Sequence, residues 1–173
     1  MLGPAKFSII ETLRDGREIE IRAQRPQDRE DLEAAILHMS NESLYRRFFV
    51  AKHHFSEKEA EYFLNIDFIN HVALIAVAHE NSKPAIVGAG RYVVVAPGTA
   101  EVAFGVVDEY QGQGDRRSAM RNLSSIAPQA GLNKLIAEVL ASNGAMLKVF
   151  EGSGLQMSKR REGTVVHVTL TYA

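Results

Sequence analysis

The stretch Val102-Ala103-Phe104-Gly105-Val106-Val107-Asp108-Glu109-Tyr110-Gln111-Gly112-Gln113-Gly114 decides the fold of this chain. It opens with an apolar run, which is typical of a buried strand, and the segment after Gly114 has the spacing of a helix. A glycine-rich turn between a strand and a helix presents unpaired backbone N–H groups and the positive end of the helix dipole at one point. The stretch therefore predicts a site for a phosphate or pyrophosphate group.

The composition favours one globular domain over residues 1–173. Hydrophobic residues make up 46% of the chain, and 20 Lys and Arg residues face 21 Asp and Glu residues, so the charge predicts no nucleic-acid partner. The absence of cysteine excludes thiol nucleophiles and disulfides. The longest apolar run, residues 72–78, is too short to cross a bilayer. We therefore expect a cytoplasmic protein with no membrane partner.

Hydrophobic spacing predicts the element order βααβββαβαβ, an α/β protein. One mixed, mostly antiparallel central sheet of about six to seven strands is expected, with helices on both faces. Residues 1–15 are expected to form an irregular extension or an extra strand. The predicted strands are 18–23, 72–78, 85–95, 101–107, 134–140 and 164–171; the predicted helical segments are 28–39 with Asp28 as N-cap, 40–49, 56–65, 114–127 ended by Pro128, and 143–151.

Two spaced motifs resemble those of the GNAT superfamily of N-acetyltransferases. Gln111, Gly112, Gln113 and Gly114 are similar to the family's acyl-CoA turn, Gln/Arg-x-x-Gly-x-Gly/Ala, which follows its fourth strand. The second motif, near the penultimate helix, is matched by Asn143, Met146, Phe150 and Gly154-Leu155. Segment 40–49 further resembles the branch that includes the bacterial protein-lysine acetyltransferases. The resemblance covers nearly the whole chain and implies the GNAT fold.

The resemblance also implies acetyl-CoA as co-substrate and assigns its contacts. The fourth strand of the family carries a bulge, for which Gly105 is suited, and splays from the next strand, so backbone N–H groups near Val106 and Val107 would meet the pantetheine and the acetyl carbonyl. The turn Gln111 to Gly114, with Arg116 and Arg117, would hold the pyrophosphate. Asn143 would hydrogen-bond the cofactor arm, or serve only as a helix N-cap. Phe150 stands where many members carry a tyrosine that protonates the departing thiolate.

Two carboxylates are candidates for the general base. Glu101 opens the fourth strand at the position that resembles the catalytic glutamate of the protein-acetylating branch; the alternative is an ordinary exposed carboxylate at a strand start. Glu138, in the middle of a strand, is the second candidate, and its alternative is a solvent-facing position. The six histidines show no paired helical spacing, and cysteine is absent, so no metal site is expected.

The resemblance implies an N-acetyltransferase that moves an acetyl group from acetyl-CoA to a primary amine, either a protein lysine or a small-molecule amine. Asp115 and Arg116 depart from the aliphatic residue and the Gly or Ala of the family. They favour an alternative, a non-catalytic acyl-CoA-binding or regulatory module, and a longer acyl donor is a third possibility. The sequence specifies neither the acceptor nor whether the chain forms a homodimer.

Overall fold

The computed structural model describes residues 4–37, 66–80, 83–106 and 115–172. The predicted helical segments 40–49 and 56–65 lie outside the described residues, as do residues 107–114, which include the predicted glycine-rich turn. The described strands are β1 Ser8–Thr12, β2 Glu18–Ala23, β3 His71–Glu80, β4 Lys83–Ala96, β5 Thr99–Val106, β6 Lys134–Leu140, β7 Gln156–Glu162 and β8 Val165–Thr171. The described helices are α1 Arg29–Leu37, α2 Asp115–Ile126 and α3 Gly144–Glu151.

The eight strands form one sheet in the order β1-β2-β3-β4-β5-β6-β8-β7. All neighbouring pairs are antiparallel except β5 and β6, which are parallel, so the predicted mixed, mostly antiparallel sheet is confirmed. The strand count is higher than the expected six to seven because β1 forms within the N-terminal extension and β7 was not predicted. β7 is an exposed edge strand that carries Lys159, Arg160 and Arg161, so it shows no alternation of buried and polar residues.

Alternating residues of each strand divide between two faces of this sheet, and the register shows which residues share a face. We call the side that carries Ile21, Val102 and Phe104 the α2 face, because α2 and α3 pack there. The opposite side, which carries Arg22, Arg91, Glu101 and Glu138, is the α1 face. Helices on both faces, as predicted, leave the sheet as the middle layer.

The start of α1 differs from the prediction that Asp28 is its N-cap. A short 3-10 turn, Pro26–Asp28, precedes the helix, and the buried Asp28 carboxylate accepts hydrogen bonds from the backbone N–H of Arg25 at 2.6 Å and from the Arg22 guanidinium at 2.9 and 2.8 Å. Burial alone would raise the pKa of Asp28, but these donors outweigh it and hold that pKa below its usual value. Asp28 thus anchors α1 to β2.

The second helix follows the prediction closely. α2 buries Met120, Leu123 and Ile126, and its α-helical hydrogen bonding stops at Ile126, two residues before Pro128. The chain continues as a 3-10 turn, Ala127–Ala130, because proline lacks the N–H that another helical turn requires. The hydroxyl of Tyr172, just after β8, donates to the carbonyl oxygen of Ser124 at 2.6 Å and ties the end of the chain to this helix.

Candidate active site

The sheet opens between β5 and β6. These strands pair only at Thr99↔Lys134, Ala100↔Leu135 and Glu101↔Ile136, whereas β5 continues to Val106 and β6 to Leu140. Beyond Glu101, neither strand pairs with the other. The backbone edges that face this opening can therefore bind an extended ligand, as the edge of a sheet binds an added strand.

Two helix N-termini lie at the wide end of the opening. α2 follows β5 and α3 follows β6, and because these strands are parallel, both helices begin at the same edge of the sheet. α2 begins at Asp115, directly after the glycine-rich sequence that ends at Gly114, so Arg116 and Arg117 belong to its first turn. α3 begins at Gly144, and the Asn143 side-chain oxygen accepts the N–H of Met146 at 3.1 Å, which confirms the predicted N-cap. Both positive helix ends suit an anion.

Glu101 lies at the closed end of the opening, at the last paired position of β5. Its side chain is on the α1 face and only 1% of the residue is exposed, so the alternative of an ordinary exposed carboxylate is wrong. A glutamate is seldom buried without a compensating interaction. Its burial at the point where two parallel strands separate marks it as a functional candidate.

Glu138 occupies the same face, two residues beyond the last pair on β6. Its side chain is 33% exposed, and its Oε1 atom lies 3.9 Å from Nδ1 of His167, the residue directly opposite on β8. Nε2 of His167 lies 3.4 Å from Oε2 of Glu162. Glu138 is thus at the rim of the opening, half in contact with solvent, whereas Glu101 is at its base.

A buried polar cluster on the α1 face was missed by the sequence analysis. Arg91 is fully buried, and its guanidinium donates to Nε2 of His71 at 2.9 Å and to Oε1 of Gln24 at 3.1 Å. Burial, followed by the positive charge of Arg91, lowers the pKa of His71 to about 3, so the imidazole is neutral and can accept this bond. The signal was present in the sequence: Arg91 is the only charge in the apolar run 85–95.

The remaining predicted site residues divide between the core and the undescribed turn. Phe150 is buried on the α2 face, with its ring centroid 6.2 Å from that of Phe104. Val106 ends β5, opposite Gly88. The bulge expected at Gly105 is wrong for the described part of β5, because its pairing with β4 runs in register from Val106 to Ala100. Val107, Gln111, Gly112, Gln113 and Gly114 lie outside the described residues.

Neither a metal site nor a membrane-spanning helix emerges from the described ranges. Within them, no group of three or more His, Cys, Asp or Glu side chains is arranged to hold a metal ion. No helix in the same part of the chain is long and apolar enough to cross a membrane.

A sheet that splits between two parallel strands, each followed by a helix, defines the class of GNAT-fold acyltransferases. The chain belongs to the GNAT acetyltransferase family: the family's acetyltransferase (GNAT) domain matches residues 18–156. An acetyltransferase of Pseudomonas aeruginosa is 31% identical over 138 residues, which cover 79% of this chain and 74% of that protein. Acetyltransferase Pat of Mycolicibacterium smegmatis is 30% identical over 156 residues, and the match covers 89% of this chain and 46% of that protein, about half its length.

Solved structures agree with this assignment. The GNAT domain of S. lividans PAT superposes with a TM-score of 0.81 at 29% identity, covering 95% of this chain and 96% of that domain. The protein yncA of Salmonella typhimurium, solved with its cofactor acetyl-CoA, has a TM-score of 0.68 at 14% identity over 90% of this chain and 94% of its own, a likeness of fold alone. The predicted GNAT fold is confirmed.

Proposed function

We propose that this protein transfers an acetyl group from acetyl-CoA to a primary amine, with Glu101 as general base. One observation carries the proposal: a buried carboxylate stands at the closed end of a cleft between two parallel strands, and two helix N-termini stand at its open end. An acyl-CoA has a matching shape, because its extended amide-containing arm ends in a thioester at one end and a pyrophosphate at the other. Family membership supports the same donor.

The residues divide the binding of acetyl-CoA between them. The edges of β5 and β6 beyond Glu101, with Val106 and Val107, would pair with the amides of the arm. The turn from Gln111 to Gly114, with Arg116 and Arg117, would hold the pyrophosphate at the start of α2. Asn143 would combine its role as N-cap of α3 with a contact to the arm. Acetyl-CoA is the only cofactor proposed.

The reaction follows from these positions. The acceptor arrives as an ammonium ion and gives a proton to Glu101, directly or through one water molecule. The neutral nitrogen then attacks the thioester carbonyl carbon, a C–N bond forms, the C–S bond breaks, and the nitrogen releases its second proton to solvent. Phe150 has no proton to donate, so CoA departs as the thiolate, which is tolerable because a thiol has an ordinary pKa of about 8.5. Glu138, at the rim, is the second candidate for the base.

Two measurements test this proposal. Isothermal titration is expected to show binding of acetyl-CoA, and no heat at millimolar ligand would contradict it. With a panel of primary amines that includes a lysine-containing peptide, Glu101→Gln should lower kcat/KM by about 10²- to 10⁴-fold. Glu151→Gln, a change of an exposed glutamate paired with Lys159, is the matched control. If Glu138→Gln has the large effect instead, the base is Glu138.

Asp115 and Arg116 favour a second candidate, a non-catalytic module that binds or senses acyl-CoA. The family places an aliphatic residue and a Gly or Ala there, and a side chain at the second position obstructs the approach of the backbone to a pyrophosphate. Arg116 and Arg117 could instead donate to the phosphates. Binding of acetyl-CoA without turnover of any amine, even after Asp115→Ile and Arg116→Gly, would select the module. Increased affinity and turnover after this double substitution would select the enzyme.

A further inference from the structure

We propose that Ile69, Val95 and Lys134 form a docking surface that selects a peptide acceptor, and we call these three residues the acceptor rim. The peptide is an extended segment whose reactive lysine has an apolar residue on one side and an acidic residue on the other. The inference rests on the proposed function, which leaves the acceptor open between a protein lysine and a small-molecule amine. It depends on the exposure of the three residues, on the strand register and on two fixed turns.

Two exposed apolar residues lie on neighbouring segments at one end of the sheet. Ile69 is 71% exposed and Val95 is 49% exposed, and with Ile10 on β1 they are the large hydrophobic residues exposed in the described part of the chain. Asn70 follows Ile69, and its carbonyl oxygen accepts the backbone N–H of Val94, the residue before Val95, at 2.7 Å. Exposed apolar residues that lie together indicate a contact surface, whereas isolated ones are ordinary.

The register places the acceptor rim next to the proposed active site. Thr99 opens β5 and lies opposite Lys134 on β6, and Glu101 is two residues farther along β5. Val95 lies at the register shift near the end of β4, one residue before the partner of Thr99. Two residues of a strand span about 6.6 Å, and neighbouring strands are about 4.8 Å apart. A lysine whose backbone lies on the acceptor rim can therefore extend its side chain towards Glu101.

The turn that carries Ile69 is held by one carboxylate. Oδ1 of Asp67 accepts the backbone N–H groups of Ile69, Asn70 and His71 at 2.8, 2.8 and 2.9 Å. Phe68 has a φ of 56°, and a non-glycine residue keeps this left-handed conformation where its surroundings determine it. The exposed Ile69 is thus preorganised, so a ligand that contacts it loses little affinity to ordering of the turn.

The turn between β4 and β5 is fixed to the start of β6. The carbonyl oxygen of Gly98 accepts the backbone N–H groups of Asn133 and Lys134 at 2.9 and 3.1 Å. Gly98 has a φ of 76°, and a Cβ at this position would lie 3.2 Å from the Asn133 side chain, so glycine allows the close approach. Val95, just before this turn, and Lys134 therefore belong to connected elements with a fixed spacing.

The charges at the two ends of the acceptor rim have opposite signs. Asp67 precedes Ile69, and hydrogen bonds from backbone N–H groups, that of Ile69 foremost, lower the pKa of its carboxyl group, so it is ionised at pH 7. Lys134 is exposed at the other end, and no acidic side chain of the described ranges pairs with its ammonium group. An acidic residue of a ligand is repelled at the first end and attracted at the second.

The length of the acceptor rim fits an extended peptide. From the turn before β3 to the start of β6, the surface crosses three strand spacings, or about 14 Å. An extended chain advances about 3.3–3.4 Å per residue, so about four residues cover this length. The apolar residue of the peptide would contact Ile69 and Val95, and the acidic residue would contact Lys134. A small amine is too short to contact both ends, so the acceptor rim acts on peptides alone.

A panel of peptides tests the selection with the wild-type protein. Each peptide contains one lysine, flanked by leucine and aspartate, by leucine and arginine, or by two alanines, and the unlike pairs are made in both orders. In the better of its two orders, the leucine–aspartate peptide should have a kcat/KM about tenfold above that of the alanine peptide. It should exceed the leucine–arginine peptide by about two- to fivefold. A leucine–aspartate peptide that is not preferred in either order overturns the proposal.

Substitutions at the acceptor rim identify the residues responsible. Ile69→Ser should lower kcat/KM for the leucine–aspartate peptide about fivefold. Lys134→Glu should reverse the charge preference, so that the leucine–arginine peptide becomes the better acceptor. Both variants should leave kcat/KM for butylamine within about twofold, because it does not reach the ends of the rim. The matched controls are Ile10→Ser, at the exposed isoleucine on β1, and Lys83→Glu, at the exposed first residue of β4. An unchanged charge preference in Lys134→Glu, or an equal loss for peptide and butylamine in Ile69→Ser, overturns the proposal.

Peptide binding measured without turnover separates this inference from the proposed function. In the presence of CoA, the fluorescence anisotropy of the labelled leucine–aspartate peptide should show binding that Lys134→Glu weakens and Lys83→Glu does not. The same result in a protein that acetylates no amine would support the acceptor rim and contradict the acetyltransferase. Turnover of butylamine without preference among the peptides would do the reverse. Equal binding of the leucine–aspartate and alanine peptides, or binding of neither, overturns the inference.

Discussion

The two faces of the sheet bury different chemistry, although they share the same strands. On β5, Val102 and Phe104 point to the α2 face, whereas Glu101 and Ala103 point to the α1 face. The α2 face packs aliphatic and aromatic side chains beneath α2 and α3. The α1 face buries two charged side chains, Arg91 and Glu101, almost completely. Alternating residues of one strand therefore contribute to two different regions, the apolar core on the α2 face and the buried charges on the α1 face.

The two kinds of buried side chain contribute differently to the free energy of folding. Burying an aromatic side chain on the α2 face stabilises the fold, because it removes apolar area from water. Burying a charge costs several kcal/mol, and a buried ion pair often contributes no more stability than apolar residues of the same size. The buried charges of the α1 face thus cost stability that apolar burial elsewhere in the core provides, which is typical of a site selected for function.

The largest expected change in stability is on the α2 face. Phe104→Ala should lower the free energy of unfolding by about 3–5 kcal/mol, because it removes a buried ring that packs against Phe150 and leaves a cavity. Urea denaturation measures the change. Phe104→Leu, which keeps most of the apolar volume, should cost less than half as much. A loss below about 1 kcal/mol in Phe104→Ala would show that this face is not the source of stability.

On the α1 face, we expect the loss of one partner of a buried ion pair to lower stability, because the other charge is left buried and uncompensated. Asp28→Asn should cost about 3 kcal/mol, because it leaves the Arg22 guanidinium without a counter-charge where the two side chains are only 8% and 14% exposed. Asp15→Asn is the control: Asp15 pairs with Arg17 in solvent, so its substitution should change stability far less than Asp28→Asn. Equal effects of the two substitutions would mean that the buried pair does not anchor α1.

The neutral state of His71 makes the α1 face sensitive to pH. Burial and Arg91 lower its pKa to about 3, below the ordinary 6.5, so the unfolded chain binds a proton more readily than the folded one between these values. Stability should therefore fall as the pH falls from 7.5 to 5, by about 2 kcal/mol from this residue.

Urea denaturation at several pH values measures this slope, and His71→Gln should flatten it. The described aspartates with shifted pKa, Asp15, Asp28 and Asp67, have values lowered below 3.8 and do not titrate in the window from 5 to 7.5. An unchanged slope in His71→Gln would contradict a neutral, buried imidazole.

The sequence predicted the α2 face well and the α1 face poorly, and the reason is physical. Periodicity reports burial of apolar residues, so it located Met120, Leu123 and β6 within a residue or two. Hydrophobic periodicity does not show which polar side chains, far apart in the sequence, come into contact in the folded sheet. Gln24, His71 and Arg91 are up to 67 positions apart, and only the strand order brings them together.

Motif spacing predicted a different part of the site. The glycine-rich turn and the Asn143 motif placed two helix N-termini, and α2 and α3 begin where these motifs indicated. Spacing could not show that β5 and β6 separate after Glu101, because a strand pair ends through backbone geometry and not through a residue type. β1 lies within residues 1–15, where an extra strand was one of the two expectations, whereas β7 was absent from the predicted order because its exposed, polar residues show no apolar alternation.

Asn143 precedes α3, which packs on the α2 face and begins at the opening. Its substitution is expected to have the smallest effect on stability, and it distinguishes the two predicted roles of Asn143, N-cap and contact to acetyl-CoA. Asn143→Ala should cost about 1 kcal/mol in urea denaturation, because the N–H of Met146 loses its acceptor. Asn143→Asp keeps a cap of equal quality but places a negative charge beside a ligand that carries phosphates. If Asn143 contacts acetyl-CoA, Asn143→Asp should retain stability and weaken acetyl-CoA binding in isothermal titration. If Asn143→Asp binds acetyl-CoA as the wild type does while Asn143→Ala loses stability, Asn143 serves only as a helix N-cap.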